Sequence, residues 1–309
     1  MALEPLIPYI TLPEVPLLPA FDLGETHFDG ASIKPFGALV ALGVFLSFRL
    51  AMRQAARHGL PRATMESFFT WILAGGFIGG HVFDVILYHP DKVLKAKDFL
   101  TAVQELVFIW RSQASFGGFM GAALGLIAWK YRFKVKDALP YCEVGGSSFP
   151  LGWIFGRMGC SVAHDHPGML SDAWFAVQYP GGARFDLGLY EMLFTIPLAL
   201  SFLYLMRRPR PWGFYLGLMC TAYAPTRFAM DFLRAKDVRD SDPRHLGLTP
   251  AQWLAMGLLA VGIYFLVRAA KAAERGDVPR YVLDPEKPGP PELLKGAPPK
   301  KKEKRRVTA

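Results

Sequence analysis

The sequence predicts an all-α integral membrane protein of about seven transmembrane helices, with the N-terminus outside and the C-terminus cytoplasmic. Of the 309 residues, 52% are hydrophobic, and the mean hydropathy is positive. Several apolar stretches reach the ~20 residues that an α-helix needs to cross a bilayer. Lysine and arginine are concentrated in every second connection between these stretches, which is typical of cytoplasmic loops.

The first 32 residues are predicted to form an extended or interfacial arm on the outer side. The first charged residue is Glu4, so the basic region that begins a signal peptide is missing. Prolines recur through the arm and disfavour a helix there. These prolines are Pro5, Pro8, Pro13, Pro16 and Pro19.

A transmembrane domain is predicted over residues 33–275. Each apolar segment in it should be helical, because the bilayer offers backbone groups no other hydrogen-bond partner. The predicted spans are 33–56, 66–88, 115–132, 138–157, 187–206, 213–233 and 250–270. Small residues in the second, third and fourth spans predict close helix packing. The patch "FLTAVQELVFIW" (99–110) is too short to span and is expected to lie in the interface or re-enter.

Basic clusters follow the first, third, fifth and seventh spans, which gives the predicted orientation. Residues 276–309 are rich in Pro, Lys and Glu and predict a disordered cytoplasmic tail. Its "KKKEKRR" either attracts anionic membrane lipid or is a solvated segment. The net charge of +9 lies mostly beside the spans and in this tail, so nucleic acid is not an expected partner.

Three arginines at the outer ends of spans are candidates for binding an anion. Arg157 ends the fourth span, and Arg227 and Arg234 lie seven residues apart at the end of the sixth. Asp231, four residues after Arg227, is a possible partner for it. Arginines on the outer side do not serve the inside-positive rule, which favours a specific anionic ligand over snorkelling to the headgroups. The planar guanidinium suits phosphate, and the abundant phosphate here is a lipid headgroup.

The segment after Arg157 offers three alternative chemistries. His164, Asp165 and His166 form an H-D-H tripeptide that suits a general base or, with a further ligand, a metal. Cys160 suits either a nucleophile near Arg157 or helix packing. No third metal ligand is indicated and the three cysteines form no CxxC, so neither a metal nor a cofactor is expected. Glu191 falls in the first turn of the fifth span, where a carboxylate suits the helix dipole.

In these motifs the chain resembles the prolipoprotein diacylglyceryl transferase family. "GRMGCSVAHD" (156–165) matches the family signature G-R-x-G-N-x-x-N-x-E in its glycines and arginine, and Gly168 falls at the following family glycine. Further matches occur in the family's order over roughly residues 30–270. They are "IKPFG" (33–37), "GGHVFDVILY" (79–88), "SFGG" (115–118), "RFDLGLYE" (184–191), "TRFAMDFLR" (226–234) and "HLGLTPAQWLAM" (245–256).

The resemblance implies a multi-pass enzyme of the bacterial cytoplasmic (inner) membrane. Such an enzyme transfers diacylglycerol from phosphatidylglycerol to the lipobox cysteine of a preprolipoprotein, forming a thioether and releasing glycerol phosphate. Its implied partners are therefore phosphatidylglycerol, the lipoprotein signal peptide and membrane lipid. The resemblance places Arg157, Arg227, Arg234, Gly168 and Glu191 at the lipid headgroup.

The signature also departs from the family pattern. Cys160 and Ala163 replace its two asparagines, Asp165 replaces its glutamate, and Phe116 replaces a frequent histidine. Catalysis would then rest on Arg157, Arg227 and Asp165, with His164, or its neighbour His166, as a substitute base. Alternatives are a family member that binds phospholipid or signal peptide without chemistry, a transporter, or a metal-dependent hydrolase built on H-D-H. The transporter is disfavoured because the sequence shows no internal repeat.

Overall fold

A computed structural model describes residues 5–19, 21–23, 26–28, 31–87, 89–99, 102–103, 106, 114–238 and 244–282. This part of the chain is mostly helical, with seven helices of 17 or more residues. They are α1 Pro35–Arg57, α2 Arg62–Leu87, α3 Ser115–Arg132, α4 Leu139–Ala163, α5 Leu187–Leu205, α6 Phe214–Met230 and α7 Pro250–Glu274. A short helix, Asp91–Leu94, follows α2, and a 3-10 helix, Asp231–Leu233, follows α6.

Four of these helices, α1, α2, α5 and α7, are long and apolar enough to cross a membrane. The other three fall short for reasons visible in their sequences. Helix α4 carries Glu143 and Arg157 among many small residues, α6 has only 17 residues and includes Arg227, and α3 combines four glycines with a basic end at Lys130 and Arg132. The structure therefore shows a helical protein with several membrane-compatible helices, and seven crossings remain a prediction.

Six short strands, which the sequence does not predict, also lie within the described residues. They form three antiparallel two-stranded pairs, β1 with β4, β2 with β3 and β5 with β6. Their bounds are β1 Val15–Leu18, β2 Phe21–Leu23, β3 Thr26–Phe28, β4 Ala31–Ile33, β5 Pro167–Leu170 and β6 Arg184–Asp186. Of these strand residues only Ile33, at the end of β4, falls in a predicted span, which agrees with the exclusion of open sheet edges from the bilayer core.

Glycines join the helices in closely packed pairs, as their positions in the sequence predict. Between α2 and α3, a Cβ on Gly79 would lie 2.5 Å from the Cα of Gly121. Between α1 and α4, a Cβ on Gly152 would lie 2.8 Å from the backbone oxygen of Gly43 and 2.3 Å from the Ser47 hydroxyl oxygen. These contacts bring backbones together where any larger residue would separate them.

Helix α4 has buried polar groups near its beginning and in its second half. Near its beginning, the carboxylate of Glu143 accepts hydrogen bonds from the backbone N–H groups of Tyr215 (2.6 Å) and Leu216 (3.1 Å). Glu143 therefore caps the first turn of α6 from another helix, where Gly213 offers no side chain to do so. Arg157 lies 14 residues later, which places it about 21 Å along the helix.

The arm lies at the end of the bundle that carries Arg157. Strands β5 and β6 and the connection between these two strands lie at the same end. The arm is extended, as its prolines predict, and is bonded to this connection. Leu6 donates its N–H to the carbonyl of Trp174 at 3.0 Å, and Gln178 donates its N–H to Ile7 at 3.0 Å. The arm also exposes a row of large apolar side chains that suit a membrane interface. They are Leu6, Ile10, Leu12, Val15, Leu17 and Leu18.

The observed helix bounds differ from the predicted ones mainly at the ends. Helix α2 begins at Arg62, four residues before its predicted span, and α7 continues to Glu274, four residues beyond it. Both extensions are amphipathic or charged, so hydropathy alone does not reveal them. The predicted interfacial patch at 99–110 falls largely outside the described residues, as does the tail beyond residue 282.

Candidate active site

Arg157 lies inside α4 and not at its end. The sequence predicts a span that stops at residue 157, but the helix continues to Ala163 because no helix breaker intervenes. His164 then ends it in the left-handed conformation, with φ of 51°. Arg157 is consequently held by a regular helix, and only 2% of its surface is exposed.

Glu191, near the start of α5, fixes the Arg157 side chain. Its Oε1 lies 2.9 Å from Arg157 Nε and accepts a hydrogen bond from Trp153 Nε1 at 3.1 Å, and the Tyr223 hydroxyl donates to the same oxygen. Arg157 also stacks over the Trp153 ring, 4.3 Å from its centroid. Glu191 is 1% exposed, so its carboxylate is enclosed by these partners. The geometry makes it a holder of the guanidinium and leaves it little access to a ligand.

Asp231 organises the other two arginines in the same way. Its Oδ1 lies 2.9 Å from Arg227 Nη1 and 3.2 Å from Arg234 Nε, and its other oxygen accepts from the Thr249 hydroxyl. The predicted pairing of Arg227 with Asp231 is confirmed. Arg234, however, does not continue the face of α6, because the 3-10 helix ends at Leu233 and Arg234 is extended.

Arg157 and Arg227 line one open cavity. Tyr223 lies beside them, while α3 and α7 supply an apolar wall. The wall residues are Phe119, Ala251, Leu254, Ala255 and Leu258. Arg227 is 9% exposed, and its Nη1 has no hydrogen bond of acceptable geometry among the described residues despite its proximity to Asp231. A buried guanidinium with unused donors beside an apolar wall is suited to an amphipathic anion.

The glycines of the signature permit close contacts around the arginines. A Cβ on Gly159 would lie 2.9 Å from the Phe36 ring, so the "IKPFG" motif packs directly on the signature helix. A Cβ on Gly168 would lie 2.8 Å from the backbone oxygen of Leu233, and Gly168 pairs with Arg234 in a β-bridge. Gly168 therefore positions the chain near Arg234 through its backbone. Gly156 faces open space.

Asp165 and His166 form a pair next to Cys160. Asp165 Oδ1 lies 2.6 Å from His166 Nδ1. Partial burial opposes ionisation of Asp165, but the bond to His166 and the charge of Arg157 outweigh it and lower the pKa of this carboxyl. Ligand atoms of Cys160, Asp165 and His166 lie within 4.8 Å of one another, so these three residues could hold a metal ion. The sequence indicates no third metal ligand, and the structure corrects this expectation because Cys160 lies close to Asp165 and His166. His164 is not part of the group.

His164 points away from this pair and contacts the arm. Its Nδ1 lies 2.9 Å from Asp186 Oδ2, its Nε2 lies 2.9 Å from the carbonyl oxygen of Ile10, and Tyr9 stacks on the ring at 3.8 Å. Tyr179 donates to the same Asp186 oxygen at 2.9 Å. Both ring nitrogens of His164 are therefore engaged by structural partners.

A family model described as prolipoprotein diacylglyceryl transferase matches residues 26–268. The chain belongs to this family. Relatives named phosphatidylglycerol–prolipoprotein diacylglyceryl transferase include a protein of Idiomarina loihiensis, 28% identical over 84% of this chain and 97% of its own length. Another, from Sinorhizobium medicae, is 28% identical over 76% of this chain and 85% of its length. A third, from Erythrobacter litoralis, is 26% identical over 89% of this chain and 95% of its length.

Several residues of the site in this family member are not indicated by charge patterns. Trp153 and Tyr223 complete the shell of Glu191 but look like ordinary packing residues in the sequence. Thr249 and Gln252 had a recognisable signal, since Thr-Pro-x-Gln is a capping box with proline in the first turn. The structure contains that box, and Gln252 Nε2 also donates to the carbonyl of Phe228 at 3.2 Å. The start of α7 is thereby fastened to the end of α6, beside Asp231.

Proposed function

We propose that this protein transfers diacylglycerol from phosphatidylglycerol to the lipobox cysteine of preprolipoproteins. The observation that carries the proposal is the placement of Arg157 and Arg227 on one cavity whose opposite wall is apolar. Phosphatidylglycerol has a matching construction, an anionic phosphodiester joined to acyl chains. Membership of the family and the names of the relatives support the same activity.

The membrane arrangement belongs to the same proposal. Helices α1 to α7 each cross the bacterial inner membrane, residues 33–275 form the transmembrane domain, and residues 276–309 form a cytoplasmic tail. Residues 1–32 then lie at the outer interface with the arginine cavity. The concentration of lysine and arginine in the connections after α1, α3, α5 and α7 supports this orientation. The buried polar residues of α4 face other helices, which a bilayer tolerates.

The arginines bind the phosphate and stabilise its departure. Three guanidinium groups, Arg157, Arg227 and Arg234, share two enclosed carboxylates, Glu191 and Asp231. As the carbon–oxygen bond to phosphate breaks, charge grows on the leaving glycerol phosphate, and fixed guanidinium groups stabilise that charge without reorganising.

The other half of the reaction needs a group that takes the proton of the substrate thiol. The thiol sulfur forms a bond to the glycerol carbon, the bond from that carbon to the phosphate oxygen breaks, and the thiol proton goes to a base. The Asp165–His166 pair suits that role better than His164, since His164 spends both nitrogens on Asp186 and Ile10. Asp165 orients the imidazole of His166, as carboxylates do for catalytic histidines.

A complementation experiment tests the activity. A bacterium depleted of its own transferase should regain lipoprotein thioether formation when it expresses this chain. The Arg157→Ala variant should fail, while Arg53→Ala, which removes an exposed arginine from α1, should succeed. The thioether is measured by mass spectrometry of the N-terminal lipopeptide.

Two outcomes would contradict the proposal. Restoration by Arg157→Ala to the level of the unchanged chain would exclude a role for this guanidinium in transfer. Failure of the unchanged chain, with normal membrane insertion and retained phosphatidylglycerol, would replace the enzyme with a family member that only binds lipid or signal peptide.

A further inference from the structure

A second group of basic side chains lies at the opposite end of the bundle from Arg157. Arg57 and His58 end α1, and Arg210 and Trp212 precede α6. The His58 ring lies 4.7 Å from that of Trp212, which joins the two segments. Arg57 Nη1 donates to the carbonyl of Met206 at 3.0 Å. Residues far apart in the sequence therefore meet at the end where Glu143 caps α6.

Arg57, His58, Arg210 and Tyr215, which we call the basic cluster, contain several buried polar atoms without a hydrogen-bond partner among the described residues. Most buried polar atoms in proteins have a partner. Here five buried atoms have none among the described residues: Nε and Nη2 of Arg57, Nδ1 of His58, Nε of Arg210 and the hydroxyl of Tyr215. Tyr215 is only 4% exposed, and Arg210 is the side chain within hydrogen-bonding reach of its hydroxyl. Four of the five atoms belong to nitrogen groups that bind anions.

The positive charge of the cluster is also uncompensated. Within the described part of the chain, neither Arg57 nor Arg210 forms an ion pair with a carboxylate. Glu143 is the carboxylate nearest to Tyr215, but its two oxygens accept the N–H groups at the start of α6. Burial, with Arg57 alongside, lowers the pKa of His58 to about 4, so its imidazole is neutral and acts as a hydrogen-bonding group.

An aromatic strap closes the cluster. After α7 the chain returns, and Val282 donates its N–H to the carbonyl of Arg57 at 2.7 Å. The Tyr281 ring stacks on the Arg57 guanidinium, 4.0 Å from its centroid, and its hydroxyl donates to Met206 at 2.9 Å. Arg210 is close enough to interact electrostatically with both Tyr281 and Tyr215. The Tyr281 ring covers one face of the Arg57 guanidinium and leaves Nε and Nη2 at its edge without a hydrogen bond. A guanidinium group binds an oxyanion through such an edge.

We infer that Arg57, His58, Arg210 and Tyr215 form a second anion site, which binds a phosphate group beneath the Tyr281 strap. This site is separate from the cavity of Arg157 and Arg227, because Glu143 and Arg157 lie about 21 Å apart along α4. Two forked guanidinium groups match the geometry of a phosphate group. The phosphate is supplied either by an anionic lipid headgroup or by a soluble phosphate ion, and the two sources differ in how they can be detected.

Binding of both sources is measured on the full-length protein. In phosphatidylcholine nanodiscs, inorganic phosphate is titrated by calorimetry against chloride of equal ionic strength. In nanodiscs that also contain phosphatidylglycerol, retained lipid is counted by native mass spectrometry. Arg210→Gln is compared with Arg208→Gln, which removes an exposed arginine from the same connection. Both variants keep the Arg157 cavity, so binding there serves as an internal reference.

Loss of one or two charged hydrogen bonds should weaken phosphate binding at the second site by roughly tenfold or more in Arg210→Gln. Arg208→Gln should bind like the unchanged protein. A difference in the calorimetric arm identifies a soluble ion, and a difference of one lipid in the mass spectra alone identifies a headgroup. If Arg210→Gln fails to fold by circular dichroism, Tyr215→Phe keeps the ring and should still weaken binding several-fold.

Identical behaviour of Arg210→Gln and Arg208→Gln in both arms would overturn the inference. A different result would do so as well: phosphate binding that appears only after Asp284→Asn and Glu286→Gln. In that case a carboxylate from the segment following the strap occupies the cluster.

Discussion

At the scale of single residues, the position of Glu191 between Arg157 and Tyr223 has a testable consequence. Glu191→Gln keeps the size of the side chain but removes its charge, so Arg157 becomes a buried cation without a counter-ion. Breaking a buried pair in this way costs about 3–5 kcal/mol of unfolding free energy. A guanidinium displaced by about 1 Å loses about 100-fold in rate. Thermal unfolding and transfer to a lipobox peptide measure the two effects.

The exposed pair between Arg62 and Glu66 supplies the matched control. Glu66 is 41% exposed and lies 2.7 Å from Arg62 Nε. Glu66→Gln makes the same chemical change, yet surface pairs of this kind contribute about 0.3–0.5 kcal/mol. Equal loss of stability in Glu66→Gln and Glu191→Gln would show that the buried pair contributes no more to the free energy of unfolding than the exposed pair.

The two histidines of the signature segment should respond differently to substitution. His166→Ala removes the proposed proton acceptor beside Asp165, so the transfer rate should fall by about 10²–10⁴-fold with the fold intact. His164→Ala removes the contacts to Asp186 and Ile10, so the arm should become more susceptible to protease while the rate falls much less. Single-turnover kinetics and limited proteolysis on both variants separate these results. A larger rate loss in His164→Ala would restore His164 as the base.

At the scale of elements, glycine spacing predicts packing that a single substitution can disturb. A Cβ on Gly121 would lie 2.1 Å from the backbone oxygen of Gly75, so Gly121→Ala forces α2 and α3 apart. Overpacking of this kind costs about 1–3 kcal/mol. Gly257 on α7 faces open space, so Gly257→Ala should instead stabilise by up to about 1 kcal/mol through helix propensity. The unfolding midpoint should fall in Gly121→Ala and rise in Gly257→Ala. An unchanged midpoint in Gly121→Ala would contradict the close packing of α2 and α3.

Most helices could be predicted from the sequence because apolar length and glycine spacing are local properties. The ends were harder to predict. Helix α4 passes residue 157 because residues 158–163 contain no proline and are compatible with a helix, and hydropathy does not report that compatibility. The strand pairs escaped prediction because each depends on a partner segment, as when Arg184 in β6 meets Leu170 in β5.

The residues of the site also divide into those that local sequence patterns predict and those that depend on distant segments. Arg157, Arg227 and the Arg227–Asp231 pair follow from charge and helical spacing. The hub formed by Glu191, Trp153 and Tyr223 joins three helices, and no local pattern encodes that meeting. His164 illustrates the opposite error, since its neighbours in the sequence suggest chemistry while its spatial partners, Asp186 and Ile10, are structural.

At the scale of the whole molecule, the two basic clusters occupy opposite ends of one helical bundle. The cavity of Arg157 and Arg227 lies with the arm and the strand pairs, and the cluster of Arg57 and Arg210 lies with the basic connections. Helices α4 and α6 connect the two ends. Helix α4 carries Arg157 and Glu143, and α6 carries Arg227 and the N–H groups that Glu143 caps. Disturbing that cap should therefore affect the helices that hold both arginines.

The proposed orientation places these ends on different sides of the membrane, and cysteine labelling can determine which. Asp172 lies exposed in the connection before α5, and Arg208 lies exposed in the connection after it. The native thiols give low background, since Cys160 and Cys220 are buried and Cys142 is partly covered. In spheroplasts, a membrane-impermeant maleimide should label Asp172→Cys at once and Arg208→Cys only after permeabilisation. The expectation follows from the positive-inside rule, because Arg207, Arg208 and Arg210 resist translocation. The reverse pattern would invert the topology and put the arginine cavity on the cytoplasmic side, where lipobox cysteines of exported lipoproteins do not arrive.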